Sequence, residues 1–81
     1  MSKKTASTDA AGPSLVRQRI SANLKKLRKD RDLSQEKLAE ISGFHRTYVS
    51  QLERCITNIS IDGLEKIAAA LGVDVRELLK P

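Results

Sequence analysis

The chain has 81 residues, 40% apolar and 31% charged, with a formal net charge of +5. That length supports one small core, the single cysteine Cys55 excludes an intrachain disulfide, and one His beside one Cys supplies no metal-ligand set, so no metal site is expected. There is no glycine-rich phosphate loop and no nucleophile with a partner, so neither enzyme activity nor a cofactor is expected.

The charge is unevenly spread. Residues 1–33 hold nine Lys or Arg against three Asp, a net of +6, and residues 34–81 hold six against seven acids, a net of −1. A basic balance favours a polyanionic partner, and here the long-range attraction comes from the N-terminal third. No apolar run approaches the ~20 residues that span a bilayer, and the first residues lack the apolar stretch of a signal peptide. The expectation is a soluble cytoplasmic protein without a membrane partner.

Residues 1–13 are small and polar with no apolar periodicity, and read as a flexible arm carrying Lys3 and Lys4. Residues 14–81 read as one all-α domain of five helices. Val16, Ile20, Leu24 and Leu27 recur every three or four positions and predict a first helix from Ser14 to about Asp30. Ser34 is a good N-cap for a second, with Glu36 in its first turn and Leu38, Ala39 and Ile41 on one face. Gly43 stands where the chain must turn, and a third helix is predicted from about Arg46 to Arg54 with Val49 and Leu52 facing inward. Ser60 caps a fourth, whose stripe Ile61, Leu64, Ile67, Ala68 and Leu71 stops at Gly72. Within it Gly63 costs about 1 kcal/mol relative to Ala. Asp74 with Glu77 reads as a capping box opening a last short helix with Val75, Leu78 and Leu79.

The second and third helices, joined at Gly43, form a helix-turn-helix pattern. Each is too short to be stable alone and must pack on a third element. A second helix with a polar outward face is what such a unit lays into the DNA major groove, so double-stranded DNA is the expected partner.

Residues 15–80 resemble the helix-turn-helix domain of phage repressors and Cro, the XRE family. The likeness rests on Arg28, then LSQEKLA, a glycine turn, a polar helix ending in LER, Asn58, and LEKIAAALGV. Within the family, HRTYVSQLERCITNISIDGLEKIA most resembles the small controller proteins of restriction-modification operons. The resemblance implies a five-helix repressor-like fold and a buried ion pair between Arg28 and Glu53. It also implies that Gln35 and Asn58 each hold a DNA phosphate. Two positions depart from the pattern. Cys55 stands where relatives place Gly or Asn, a site that tends to need a left-handed backbone, so either the loop differs or Cys55 is strained. His45 replaces the usual Ser, Asp or Thr cap of the third helix, a weaker cap.

With Val49 and Leu52 turned inward, Arg46, Thr47, Ser50 and Gln51 fall on the outward or flanking faces, within reach of base edges. A guanidinium at Arg46 can bond both O6 and N7 of guanine, or touch phosphate alone, and an amide at Gln51 can pair with adenine or stand by on the surface. Thr47 can meet a thymine methyl or a phosphate. Tyr48 can pack its ring on the scaffold while its hydroxyl reaches a phosphate, or serve packing alone. Arg54 points to the following loop and a phosphate, and Phe44 to the core. Arg17 and Arg19 are further phosphate candidates, whereas the run Lys25, Lys26, Lys29 and Arg31 reads as a solvated face.

One such domain covers one half-site, so a homodimer on a palindromic operator is expected, with Val75 and Leu79 at the twofold interface and Leu78 internal, or with all three closing the monomer core. No small-molecule effector is expected. Two other readings stay open: an antitoxin-type autorepressor, and a protein-interaction module on the same scaffold.

Overall fold

The computed structural model describes residues 12–81. These form α1 (Leu15–Asp30), α2 (Gln35–Ser42), α3 (Arg46–Glu53), α4 (Ile61–Leu71) and α5 (Arg76–Leu79), with no strand among the described residues. Residues 1–11, which make up most of the expected arm and include Lys3 and Lys4, lie outside the described residues. No helix among the described residues is long and apolar enough to cross a membrane.

The helix starts follow their serines. Ser14 Oγ accepts from the Arg17 amide at 3.2 Å, Ser34 Oγ from Lys37 at 2.9 Å and Ser60 Oγ from Gly63 at 2.9 Å, each satisfying an amide that the helix leaves without a partner. The stops are equally local. Gly43 (φ 83°) and Gly72 (φ 72°) take the left-handed conformation, and the Gly43 and Phe44 amides both return to the Ala39 carbonyl at 2.9 Å. Asp74 Oδ1 accepts from the Arg76 amide at 2.8 Å, but the expected capping box is not completed. Glu77 instead meets Lys80 Nζ at 3.0 Å, and α5 is a single turn.

Each helix contributes one of the five most deeply buried side chains: Leu24, Leu38, Val49, Ile67 and Leu78. Burying each of these aliphatic groups stabilises the fold by about 1.5–3 kcal/mol. Three polar ties join the helices around this core. Ser21 Oγ donates to the Leu52 carbonyl at 2.6 Å, linking α1 to the end of α3. Asn23 Nδ2 donates to the carbonyls of Leu78 and Lys80 at 3.0 and 2.9 Å and holds α5 on α1. Arg31 Nε donates to the Leu71 carbonyl at 2.8 Å and its Nη1 to Leu27 at 3.1 Å. Arg31 thereby caps α4 while remaining exposed.

Three apolar residues read as core are exposed. Ile41 is 49% exposed. At about 100° per residue it lies roughly 110° from the middle of the Leu38–Ala39 face, whereas Ser42 falls near the middle. Ser42 is accordingly half-buried, and its hydroxyl returns to the Leu38 carbonyl at 2.7 Å. Val16 and Ile61, 50% and 84% exposed, sit in the first turns of α1 and α4, where side chains lean past the helix start and away from the core.

Gly63 also acquires a reason. A Cβ there would lie 3.0 Å from Ile59 Cγ1, 3.1 Å from Ser60 Oγ and 3.3 Å from Phe44 Cζ, so the glycine lets the Phe44 ring close on α4. Gly63→Ala should therefore destabilise the fold by about 1–2 kcal/mol in urea denaturation, overpacking outweighing the ~1 kcal/mol that alanine gains in helix propensity.

Candidate nucleic-acid interface

The surface centred on α3 is built from the inside outward. Val49 and Leu52 fix its inner face in the core. Its last residue, Glu53, has a side chain only 2% exposed and meets Arg28 of α1, itself buried. Arg28 Nε donates to Glu53 Oε2 and Nη2 to Oε1 at 2.9 Å, while Nη1 donates to the Leu33 carbonyl at 2.7 Å. Gln35 Nε2 adds a bond to Glu53 Oε1 at 3.0 Å. Burial pushes the Glu53 carboxyl upward, but the bonds from Arg28 and Gln35 outweigh it and hold Glu53 below its ordinary value. The Glu53 bonds raise the Arg28 guanidinium correspondingly, against the opposing effect of burial.

At the other end, the N-cap of α3 is His45, whose side chain makes no capping bond. The N-terminal half is steadied by aromatic packing: the Phe44 and Tyr48 rings lie 5.0 Å apart, tilted by 44°. The Tyr48 hydroxyl donates to the Asn58 carbonyl at 2.9 Å, and burial raises its pKa. Between these supports Arg46 and Thr47 are exposed, and Ser50 and Gln51 are half-buried beside them.

Arg54 and Asn58 are exposed on the loop that follows. Asn58 Oδ1 accepts from the Ile59 amide at 2.8 Å, bringing its carboxamide against its own loop. Cys55 has φ 60°, so of the two alternatives at this position the strained, left-handed backbone is the one adopted, at a cost of about 1–2 kcal/mol. Arg17 is half-buried near Asn58 and Ile59 along a shallow groove, and its Nε finds no hydrogen-bond partner among the described residues. Lys25, Lys26 and Lys29 are exposed, with Lys26 paired to Asp30 at 3.0 Å. Among the described residues no group of His, Cys, Asp and Glu could hold a metal ion.

Gln35, Tyr48 and Asn58, each assigned to a phosphate, thus already make bonds within the protein. Val75 and Leu79 are half-buried against the core of their own molecule, with Leu78 fully inside. Ser21 was missed as a support of this surface, and Asn23 and Arg31 as ties elsewhere in the fold. Only Ser21 carried a signal: it lies three positions before Leu24 and seven before Arg28, on the buried side of α1.

This arrangement of two short helices about a left-handed glycine, the second presenting a polar outer face, is that of a helix-turn-helix domain. The family model described as helix-turn-helix matches residues 24–78, and the chain belongs to this family. Control protein C.BamHI of Bacillus amyloliquefaciens is 52% identical over 48 residues, 59% of this chain, and the chain spans 59% of that relative's length. The crystal structure of the restriction-modification controller protein C.AhdI from Aeromonas hydrophila is similar at a TM-score of 0.74 and 40% identity, over 76% of this chain and 90% of that one. The controller protein C.Esp1396I, solved as a tetramer with its natural 35 base-pair operator, is similar at a TM-score of 0.73 and 35% identity, over 83% and 99% of the two chains.

Replacing Glu53 by Gln leaves the Arg28 charge buried without its counter-charge and should cost about 3–5 kcal/mol at neutral pH. Because the folded-state value of Glu53 is depressed, its contribution is present above the unfolded value near 4.5 and is lost as pH falls through the folded one. Chemical denaturation from pH 7 to pH 3 should therefore show the gap between wild type and Glu53→Gln closing on the acid side.

Proposed function

We propose that this protein is a sequence-specific DNA-binding regulator that acts as a homodimer on a palindromic operator and controls a restriction-modification operon. The observation that carries the reading is the outer face of α3, where Arg46 and Thr47 are exposed on a helix whose two ends are tied to the scaffold. Likeness to controller proteins, one of them solved on its operator, supports the choice of operon.

In this reading Arg46 pairs with a guanine and Gln51 with an adenine, while Thr47 and Ser50 contribute shorter contacts to neighbouring bases. Arg17, Gln35, Arg54 and Asn58 engage the DNA backbone and set the register in which the bases are read, and Tyr48 lies between the two sets. Gln35 has a second amide hydrogen to give beyond the one that Glu53 accepts. It sits in the first turn of α2, where unpaired main-chain amides favour an anion.

A second copy, joined through the outward parts of Val75 and Leu79, sets two α3 helices about one DNA turn apart, roughly 34 Å. With a dimer that forms only as the protein accumulates, occupancy rises steeply with concentration, which suits a regulator acting on its own operon.

Selection from a pool of random duplexes at physiological salt should enrich a palindrome with half-sites one turn apart; a pool that enriches no sequence contradicts the reading. On the selected site, Arg46→Ala should cost about 1–3 kcal/mol and relax specificity at one base position in each half-site. An equal loss on every sequence would make Arg46 a backbone contact.

A further inference from the structure

Tyr48 joins the two halves of this surface, and its bonds bear on how they act together. Its ring is seated against Phe44, which in turn closes on Gly63 of α4, so the phenol has a fixed seat on α3. Its hydroxyl lies 2.9 Å from the main-chain carbonyl oxygen of Asn58 and donates to it. A phenol has one hydrogen to give. While that hydrogen rests on a carbonyl, the hydroxyl offers a phosphate only lone pairs, which an anion does not accept.

Asn58 is differently placed. Its Oδ1 is taken by the Ile59 amide at 2.8 Å, and this fixes which end of the carboxamide is the donor. The two Nδ2 hydrogens belong to the end that suits an anion. The first part of the loop folds back on α3, with the Cys55 amide bonded to the Leu52 carbonyl and the Ile56 amide to Gln51, both at 3.1 Å. The Tyr48 bond then secures the middle of the loop, ten residues along the chain.

We propose that Tyr48 is a positioning residue, a latch that ties the loop bearing Asn58 to the base-reading helix, so that Asn58 meets the DNA backbone and the Tyr48 hydroxyl does not. This rests on the DNA-binding function proposed above. The latch makes the base-reading face of α3 and the backbone-holding loop one rigid unit, so that docking Asn58 on a phosphate sets the depth and angle of α3. The ordering of that loop is then complete before DNA arrives, which removes part of the entropy that binding would otherwise lose.

The test is a double-mutant cycle in DNA affinity on the duplex recovered by random-pool selection, using Tyr48→Phe, Asn58→Ala and the double variant. Melting temperatures are measured alongside to establish that all are folded. Tyr48→Phe keeps the ring and its seat and removes only the hydroxyl. It should raise Kd about three- to tenfold, the loss of one ordinary hydrogen bond. Asn58→Ala keeps the main-chain carbonyl, so the latch still forms but has nothing to position. In that background Tyr48→Phe should change Kd less than about twofold. A hydroxyl that touched phosphate directly, or one that merely supported the fold, would weaken binding by the same factor in both backgrounds, and that result overturns the proposal. So does a Tyr48→Phe or an Asn58→Ala that binds like wild type. A pool that enriches no sequence overturns the DNA-binding reading itself, and the latch with it.

Discussion

A guanidinium and a carboxylate removed from water together hold the outward-facing helix to the rest of this small fold. Arg28 brings its planar fork from the last turn of α1, and Glu53 brings both oxygens from the last turn of α3. Leu33 and Gln35 join them from the connection to α2 and its first turn. Four stretches of chain therefore converge on one pair of charges. Desolvating two ions costs about as much as their attraction returns, so such a pair adds little net stability over apolar residues of the same size. What it adds is direction. A bidentate fork accepts a carboxylate in one plane and at one angle, whereas a leucine against a leucine tolerates many.

Direction matters because α3 has eight residues and no helix stability of its own. Everything that makes it a rigid presenter of side chains comes from outside. The core takes Val49 and Leu52, the ion pair holds the C-terminal end, and the Phe44–Tyr48 pair steadies the N-terminal half. The glycine at 63 belongs to the same device, since the Phe44 ring reaches α4 only where no side chain stands in its way. Arg46 and Thr47 then project from a backbone whose position is already determined.

Much of this could be read in the sequence, because the signals were local. Ser14, Ser34 and Ser60 marked helix starts, and Gly43 and Gly72 marked stops, through bonds that span three or four residues. The five helices and most of the buried face followed from these marks together with the apolar periodicity. The errors have two physical sources. Periodicity finds a face but not its edges, so Ile41, at the side of α2, and Val16 and Ile61, in first turns, were placed inside. The second source is distance along the chain. Arg31 to Leu71 spans 40 residues and Asn23 to Leu78 spans 55, and nothing local distinguishes such a side chain from one that makes no bond. The same limit applies to the candidate site. The residue types suited to phosphate were visible, but the bonds of Gln35 to Glu53 and of Tyr48 to Asn58 depend on how α2, α3 and the following loop meet. The pairing of Arg28 with Glu53 came from family resemblance, since 25 residues separate the two.

The central claim is that the buried pair orients α3 more than it stabilises the fold. The direct measurement is the affinity of an Arg28→Met, Glu53→Leu double variant for its selected operator and for a scrambled duplex, beside its unfolding free energy. Both charges are removed together, so no ion is left buried without a partner. The account predicts a folded protein within about 2 kcal/mol of wild type that has lost most of its preference for the operator. A variant that is folded and discriminates as sharply as wild type would contradict it.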